Sequence, residues 1–410
     1  MAVTETYVDF ATGNDYKGAT FTDGAYTSGT KTLVKASAFT ANKVGHWLYL
    51  ASNDGGSIVA GYYKIATWSD ANTVVLATDA GAGVDDDAAK CIQHNGTALL
   101  PFCSIQGALD LITRNATDGD RINVVAGTAQ TLSATLSYTT YGTPDSGAQL
   151  TIQGCTSSAG DGGIGEIDGA ATYSICTAWT YSNFIDLKVG NCGSADVLDL
   201  GASSTASNCE IHTSSVFGVD FSGNYCTVLG CYFHDLTGTQ AIDNGIVGRI
   251  LYNYFDCLVT GSVIDGGTGS VIIGNIIDIS GADTNVNGIN VDGATMTVIG
   301  NTIYCSNANT GRGINSSADT LCALNNIIEG WSGSGGDGIE TSAYSYIGAN
   351  AVYNCTNPYT LVATKLNYAI APNDTLGATP FTDAATNDFS IKNAQTGVTE
   401  DAYPSTFRGM

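Results

Sequence analysis

Apolar and polar positions alternate along most of this chain in short β-branched runs, and from Leu198 to Tyr353 the runs recur at a near-constant interval. One line of the repeat reads Cys209, Cys231, Asn253, Asn275, Asn301, Asn326 and Asn350, spaced by 22, 22, 22, 26, 25 and 24 residues. Three residues beyond these lie His212, His234, Asp256, Asp278, Tyr304, Glu329 and Tyr353. A second line keeps step with the first: Leu198-Asp199, Val219-Asp220, Ile242-Asp243, Ile264-Asp265, Ile289-Asn290, Ile314-Asn315 and Ile339-Glu340. In each pair strand alternation turns the apolar side chain inward and its neighbour outward.

A period of this length, carried by β-branched runs and turn residues, predicts a parallel β-solenoid of about ten coils of 22–26 residues. The segments around Gly274-Asn275 and Gly300-Asn301 read as two strands joined by a tight bend. Asparagine tolerates left-handed backbone, and its amide can bond to the asparagine one coil on. An architectural ladder through Asn253, Asn275, Asn301, Asn326 and Asn350 is therefore expected.

With this ladder, the entry segment Pro101 to Ile112, the run Asp118 to Thr128 and Leu150 to Gly154, the chain resembles the pectate-lyase-like right-handed parallel β-helix superfamily, of the kind found in phage virion appendage and surface proteins. The resemblance implies that the entry segment is a helix capping the first coil and that the strand after Asp118 opens the solenoid. It agrees with Ile105, Leu109 and Ile112 falling on one helical face. The expected domains are a small β-rich module over 1–95, the right-handed parallel β-helix over 96–360, and a C-terminal capping segment over 361–410.

Composition narrows the function. The chain carries 14 basic against 38 acidic residues, a formal net charge of -24, which repels nucleic acid and anionic lipid alike. No apolar run approaches membrane-spanning length, and the first residues have neither a basic nor an apolar leader region. Twelve cysteines without a Cys-x-x-Cys or a zinc spacing, several on the repeat, predict buried thiols and no more than two disulfides. Cys209 and Cys231 should stack rather than bond.

Candidate chemistry lies on the outward columns. Asp199, Asp220, Asp243 and Asp265 should stand one coil apart, near the separation of a glycosidase carboxylate pair. Ordinary solvated carboxylates would look the same. His212 and His234, beside Asp256 and Asp278, could form an acid/base pair or a metal site, or be surface groups. Tyr232, Tyr254, Asp278 and Tyr304 are the candidate glycan or partner surface. Asp283, Asn285 and Asn287, before Gly288, match the first half of a calcium loop, but Ala294 stands where the bidentate glutamate belongs. Calcium is thus the one cofactor candidate, against an Asx-rich turn. Gly160 to Gly165 fits a dinucleotide fingerprint without the required βαβ setting and reads as a loop.

The lyase patterns Trp-Ile-Asp-His and Arg-x-Pro-x-x-Arg are absent, as are Asn-Thr-Asp and Gly-His-Gly. The expectation is a non-enzymatic virion structural or attachment protein, made in a host cytoplasm. Its partners would be shell proteins or cell-surface glycan, with homo-oligomers left open and an extracellular or cell-surface location as the alternative. The competing function is a tailspike-type polysaccharide depolymerase using the flank carboxylates.

Overall fold

The computed structural model describes residues 3–391, except 12–20, 40–43, 45–46, 52–57, 60, 82–83, 93–101, 103, 113, 140, 246, 280–284, 307, 317–319, 342–343, 362–366, 370–373, 377 and 384–387. The chain divides into two compact units, residues 1–130 with 137–166, and residues 131–136 with 167–410.

In the first unit, strands Phe21–Thr27, Thr32–Val34, Trp47–Ala51, Gly61–Asp70, Thr73–Leu76 and Val84–Ile92 close into an antiparallel barrel. Alternation fills it: Leu33, Leu48, Leu50, Ile65 and Val74 are buried in one cluster. Tyr26 brings a hydroxyl into that core and satisfies it by donating to Asp79 and accepting from the Ala80 amide. Elsewhere in this unit Thr4–Val8 and Leu150–Cys155 flank Asp120–Val125 in a parallel sheet. Helix Ile105–Leu111 begins at Ser104, whose hydroxyl accepts the Gly107 amide. Ile105 and Leu109 are buried on its face, but Ile112 is extended and ends the helix instead of extending that face. Gly160 to Ile164 is a loop, closed by Asp161 accepting the amides of Thr156, Ser157, Ser158 and Gly163, and Gly165 opens the strand Gly165–Asp168.

The second unit is a parallel β-solenoid. Three strands alternate through each coil, and equivalent strands pair in parallel, register for register. One sheet runs from Cys176–Trp179 through Leu198–Leu200, Phe217–Phe221, Gln240–Asn244 and Ser262–Gly266 to Asn357–Leu361; we call it the carboxylate sheet. The second, the aliphatic sheet, includes Ser182–Ile185, Cys226–Leu229, Gly248–Leu251, Val271–Ile273 and Thr320–Leu324. The third, the histidine sheet, includes Glu210–Ser214, Tyr232–Leu236, Tyr254–Asp256, Ile276–Asp278 and Ile327–Glu329. The carboxylate sheet is nine-stranded, and each of its strands is followed by one strand of the aliphatic sheet and one of the histidine sheet, so nine coils run through all three sheets among the described residues of this unit. Inside, Val219, Ile242, Ile264, Ile289, Ile314 and Ile339 form one column, every member fully buried. Phe233 stacks on Phe255 with ring centroids 4.6 Å apart.

The bend between the aliphatic and histidine sheets carries the ladder. Each asparagine amide oxygen accepts both the backbone N–H and the side-chain N–H of the asparagine one coil before it, at 2.9–3.0 Å from Asn253 to Asn350. Each side-chain NH2 also donates to a backbone carbonyl, Asn275 to Ile250 at 2.9 Å and Asn326 to Val298 at 3.0 Å. Cys231 and Cys209 occupy the same line in the earlier coils; Asn253 caps the Cys231 amide at 2.8 Å, and the weaker Cys231 sulfur faces the Cys209 amide at 3.4 Å. One expectation needs correcting. The left-handed residue of each bend is the one before the ladder residue, namely Tyr252, Gly274, Gly300, Asn325 and Ala349, with φ between 53° and 67°. The asparagines are kept for their amides.

Among the described residues ten cysteines are free thiols, eight of them buried. Cys209 and Cys231 stack unbonded, as expected; Cys103 lies outside the described residues. Burial raises the Cys226 and Cys155 thiols to about 11 and Cys192 to about 12, so these are unreactive as thiols and nearly absent as thiolates.

Two outcomes follow. Asn301→Ala leaves a buried N–H and a buried carbonyl unpaired, a cost of about 2–6 kcal/mol at ~1–3 per orphaned group, and should lower the urea midpoint far more than Asn315→Ala on the outer surface. Native protein mixed with a thiol-reactive chromogen should label slowly, with the buried thiols responding only as urea unfolds the solenoid; rapid native labelling of most thiols would contradict the packing.

Candidate functional site

The carboxylate sheet repeats a pattern of one outward residue, two buried ones, one outward and one buried, seen in Gln240–Asn244 and Arg312–Ser316. Parallel register then stacks Asp199, Asp220, Asp243, Asp265, Asn290, Asn315 and Glu340 in one column. All are half-buried. Packing coils at about 4.8 Å sets successive carboxylates roughly 5 Å apart and alternate ones roughly 10 Å apart.

The surroundings along this column are not alike, contrary to a simple repeat of solvated groups. At its C-terminal end the column is stitched by amides. Gln240 and Asn290 donate to the two oxygens of Asp265 at 3.2 and 3.1 Å, and Asn315 donates to Asn290 at 2.8 Å. Arg312 pairs with Glu340 and reaches Asp337 at 3.7 Å. At the N-terminal end four carboxylates gather, Asp196, Asp199, Asp220 and Asp243, with no basic residue beside them in the sheet. The Ser222 hydroxyl donates to Asp199. Burial, followed by the charges of Asp199, Asp243 and Asp196, pushes Asp220 up to about 7. Burial also raises Asp243, and burial with the Asp199 charge raises Asp196. Asp265 is raised as well, mainly by burial, although its amide partners oppose the shift.

Asp196 and Ser222 escaped sequence reasoning because neither lies on a repeating line. Asp196 sits in the turn three residues before Asp199, and Ser222 directly after its strand. The usable signal was carboxylate density, since Asp196 and Asp199 put two acids in one coil with no basic residue on its strand, whereas another such pair, Asp337 and Glu340, meets Arg312.

The histidine sheet brings together His212 and His234, as its spacing implied, with rings stacked 5.3 Å apart. Tyr232 stacks on His234 at 4.7 Å and on Tyr254 at 5.4 Å. The outward positions two residues earlier, Lys188, Glu210, Tyr232 and Tyr254, form the neighbouring column. Glu210 takes Lys188 at 3.1 Å and the Nε2 of His234 at 3.0 Å, while the Nδ1 of His234 lies 2.7 Å from Asp235. Burial pushes Glu210 up, but these partners outweigh it and hold its carboxyl below the usual range. Lys188 and Glu210 were not among the sequence candidates; alternation from His212 would have found them. Asp256 continues the column and is raised by burial and by Asp235. This cluster is internally paired, which suits a structural clamp better than a metal or acid/base centre.

Two expected surface residues are not on the surface. Asp278 is 1% exposed, and Tyr304 is 8% exposed because the C-terminal segment folds over it, setting Phe381 edge-on at 6.3 Å. Thr379 of that segment donates to Glu329. Of the calcium candidates, Asp283 lies outside the described residues. Asn285 is exposed, and Asn287 uses its amide oxygen to accept the Arg312 backbone N–H at 3.0 Å, so it serves the coil stack. No group of three or more potential metal ligands occurs among the described residues. No helix among them is long and apolar enough to cross a membrane.

What the fold and site define is a parallel β-solenoid with a graded column of acids on one flank. No family model matches the chain, and no curated protein matches it in sequence. Solved structures similar to it include the pectate lyase Pel9A, at 12% identity over 72% of this chain and 80% of that one, with a TM-score of 0.42. The catalytic domain of a GH87 alpha-1,3-glucanase is 12% identical over 88% of this chain and 87% of that one, TM-score 0.40. The Pseudomonas phage phi297 tailspike gp61 is 12% identical over 91% and 67%, TM-score 0.27.

The pH behaviour follows from Asp220. Its folded-state value, about 7, lies above the value of about 3.9 for a free aspartate. The folded state therefore holds the proton more tightly, and stability is full below pH ~4 and declines as pH rises through 7. Thermal unfolding of the solenoid should shift upward from pH 8 to pH 5, and Asp220→Asn should raise stability at pH 8 and flatten that dependence. A stability that rises with pH over this window would contradict it.

Proposed function

We propose that this chain cleaves a glycan on its carboxylate sheet, with Asp220 as the proton donor and Asp199 as its partner carboxylate. The observation that carries this reading is Asp220 at about 7, one coil from Asp199 and one from Asp243. A carboxylic acid that keeps its proton near neutrality can protonate a glycosidic oxygen, the role for which such shifts are useful. Asp199, oriented by Ser222, stands at the roughly 5 Å spacing that favours attack on the anomeric carbon and retention of configuration. Burial, and then the negative field of Asp199, Asp243 and Asp196, keeps Asp220 protonated, and the same field steadies a developing oxocarbenium ion.

The same field selects the substrate. Arg312, the one basic side chain on the described strands of this sheet, is occupied by Glu340 and Asp337. A polyuronate would meet carboxylate with carboxylate, so the substrate is an uncharged or amino-bearing glycan. The setting expected from the sequence, a stiff virion element facing cell-surface glycan, is compatible with this chemistry.

A second reading, attachment without cleavage, is favoured by the Asp265, Asn290 and Asn315 run, whose stitched amides make a regular polar strip for a chain of hydroxyls. The two readings part on one experiment. Incubation with neutral and amino-bearing surface polysaccharides should release reducing ends, with activity falling as pH rises above 7. Asp220→Asn should lower the rate by about 10²–10⁴ while leaving binding within a few fold. Binding without any release of reducing ends would leave attachment as the function.

A further inference from the structure

The carboxylate and histidine sheets each present an outward column containing acids, but the aliphatic sheet does not. Its described outward positions, from Asn183 and Ile185 to Leu324 and Tyr346, hold no carboxylate and one cation, Arg249. That is a marked exclusion in a chain with 38 acidic residues. Parallel register instead stacks Ile185, Leu229, Leu251, Ile273, Ile299 and Leu324 into one apolar stripe, interrupted only at Ser207. Among the described residues of the solenoid unit, the exposed large hydrophobic side chains are Tyr225, Leu229, Tyr252, Leu258, Tyr346 and Leu361. Leu229 and Tyr346 lie on this sheet, and Tyr225 and Tyr252 directly flank its strands.

We infer that this face is an interface between copies of this chain. Charge decides the occupant. Two copies at -24 each would set acid against acid through either other sheet, and only here can they approach without that repulsion. A basic partner would be drawn to the acidic flanks instead, and an anionic bilayer would repel the whole molecule. A second copy offers an apolar stripe with the same coil spacing, so the two interdigitate in register. Depletion of charge with tyrosine and arginine at the edge is the composition of interface cores and anchors.

Size sets the strength. From Ile185 to Leu324 the stripe spans six coil steps, about 29 Å at about 4.8 Å each. A strand-wide strip of that length supplies roughly half of the ~800 Å² per partner of a standard interface. The flanking tyrosines must supply the rest, and association is expected in the micromolar range.

The test is sedimentation velocity of the full chain from ~1 to ~100 µM. We expect a mass that climbs with concentration to a whole multiple of 42.1 kDa. Leu251→Glu with Ile273→Glu should weaken association at least tenfold at unchanged circular dichroism. If that pair fails to fold, Thr227→Glu with Thr297→Glu, at polar outward positions of the same face, should do the same. A monomer at every concentration overturns the inference, as does an oligomer that both variants leave intact. Wild-type monomer pelleting with neutral phosphatidylcholine vesicles would assign the face to lipid and overturn it too. None of these outcomes depends on glycan cleavage.

Discussion

In-register parallel stacking governs this molecule. A coil rise of about 4.8 Å puts every side chain in contact with its counterpart in the coils before and after. Like therefore meets like, and each residue type answers differently. Isoleucine beside isoleucine excludes water, phenylalanine beside phenylalanine stacks, and asparagine beside asparagine closes a hydrogen bond. Aspartate beside aspartate repels. The first three give the solenoid its stability, and the fourth adds to burial in producing a group that titrates near neutrality.

The ladder makes the repeat tolerable at its tightest bend. A turn that narrow leaves backbone groups buried, and the left-handed residue before each ladder position cannot satisfy them alone. Asn275 and Asn301 do so with one planar amide each, accepting two bonds on the oxygen and donating on the nitrogen. Cys209 and Cys231 reach less far, which matches the longer contact between Cys231 sulfur and the Cys209 amide.

The fold was legible because it obeys a period. Two lines kept in step over seven coils fixed register, the inward isoleucines, the ladder and the pairing of His212 with His234. What the period could not reveal was everything that departs from it. Asp196 and Ser222 lie off the repeating lines, yet the Asp196 charge helps to raise Asp220, and Ser222 donates to its neighbour Asp199. Tyr304 and Asp278 read as surface because strand alternation says nothing about what covers a sheet, and the Phe381 segment comes from far along the chain. The roles of Gly274 and Asn275 were exchanged because both residue types accept a left-handed backbone.

The ladder also has a direction. From Asn253 to Asn350 every amide donates toward the C-terminal neighbour and accepts from the N-terminal one, so the bond dipoles add head to tail. The two ends of the column are then chemically inequivalent, one offering an acceptor and the other a donor. A coil spliced into the middle would find both partners waiting, whereas a coil removed from one end would expose a group that the opposite truncation does not. Lengthening or shortening such a rod by whole coils is therefore a polar operation, cheapest in its interior.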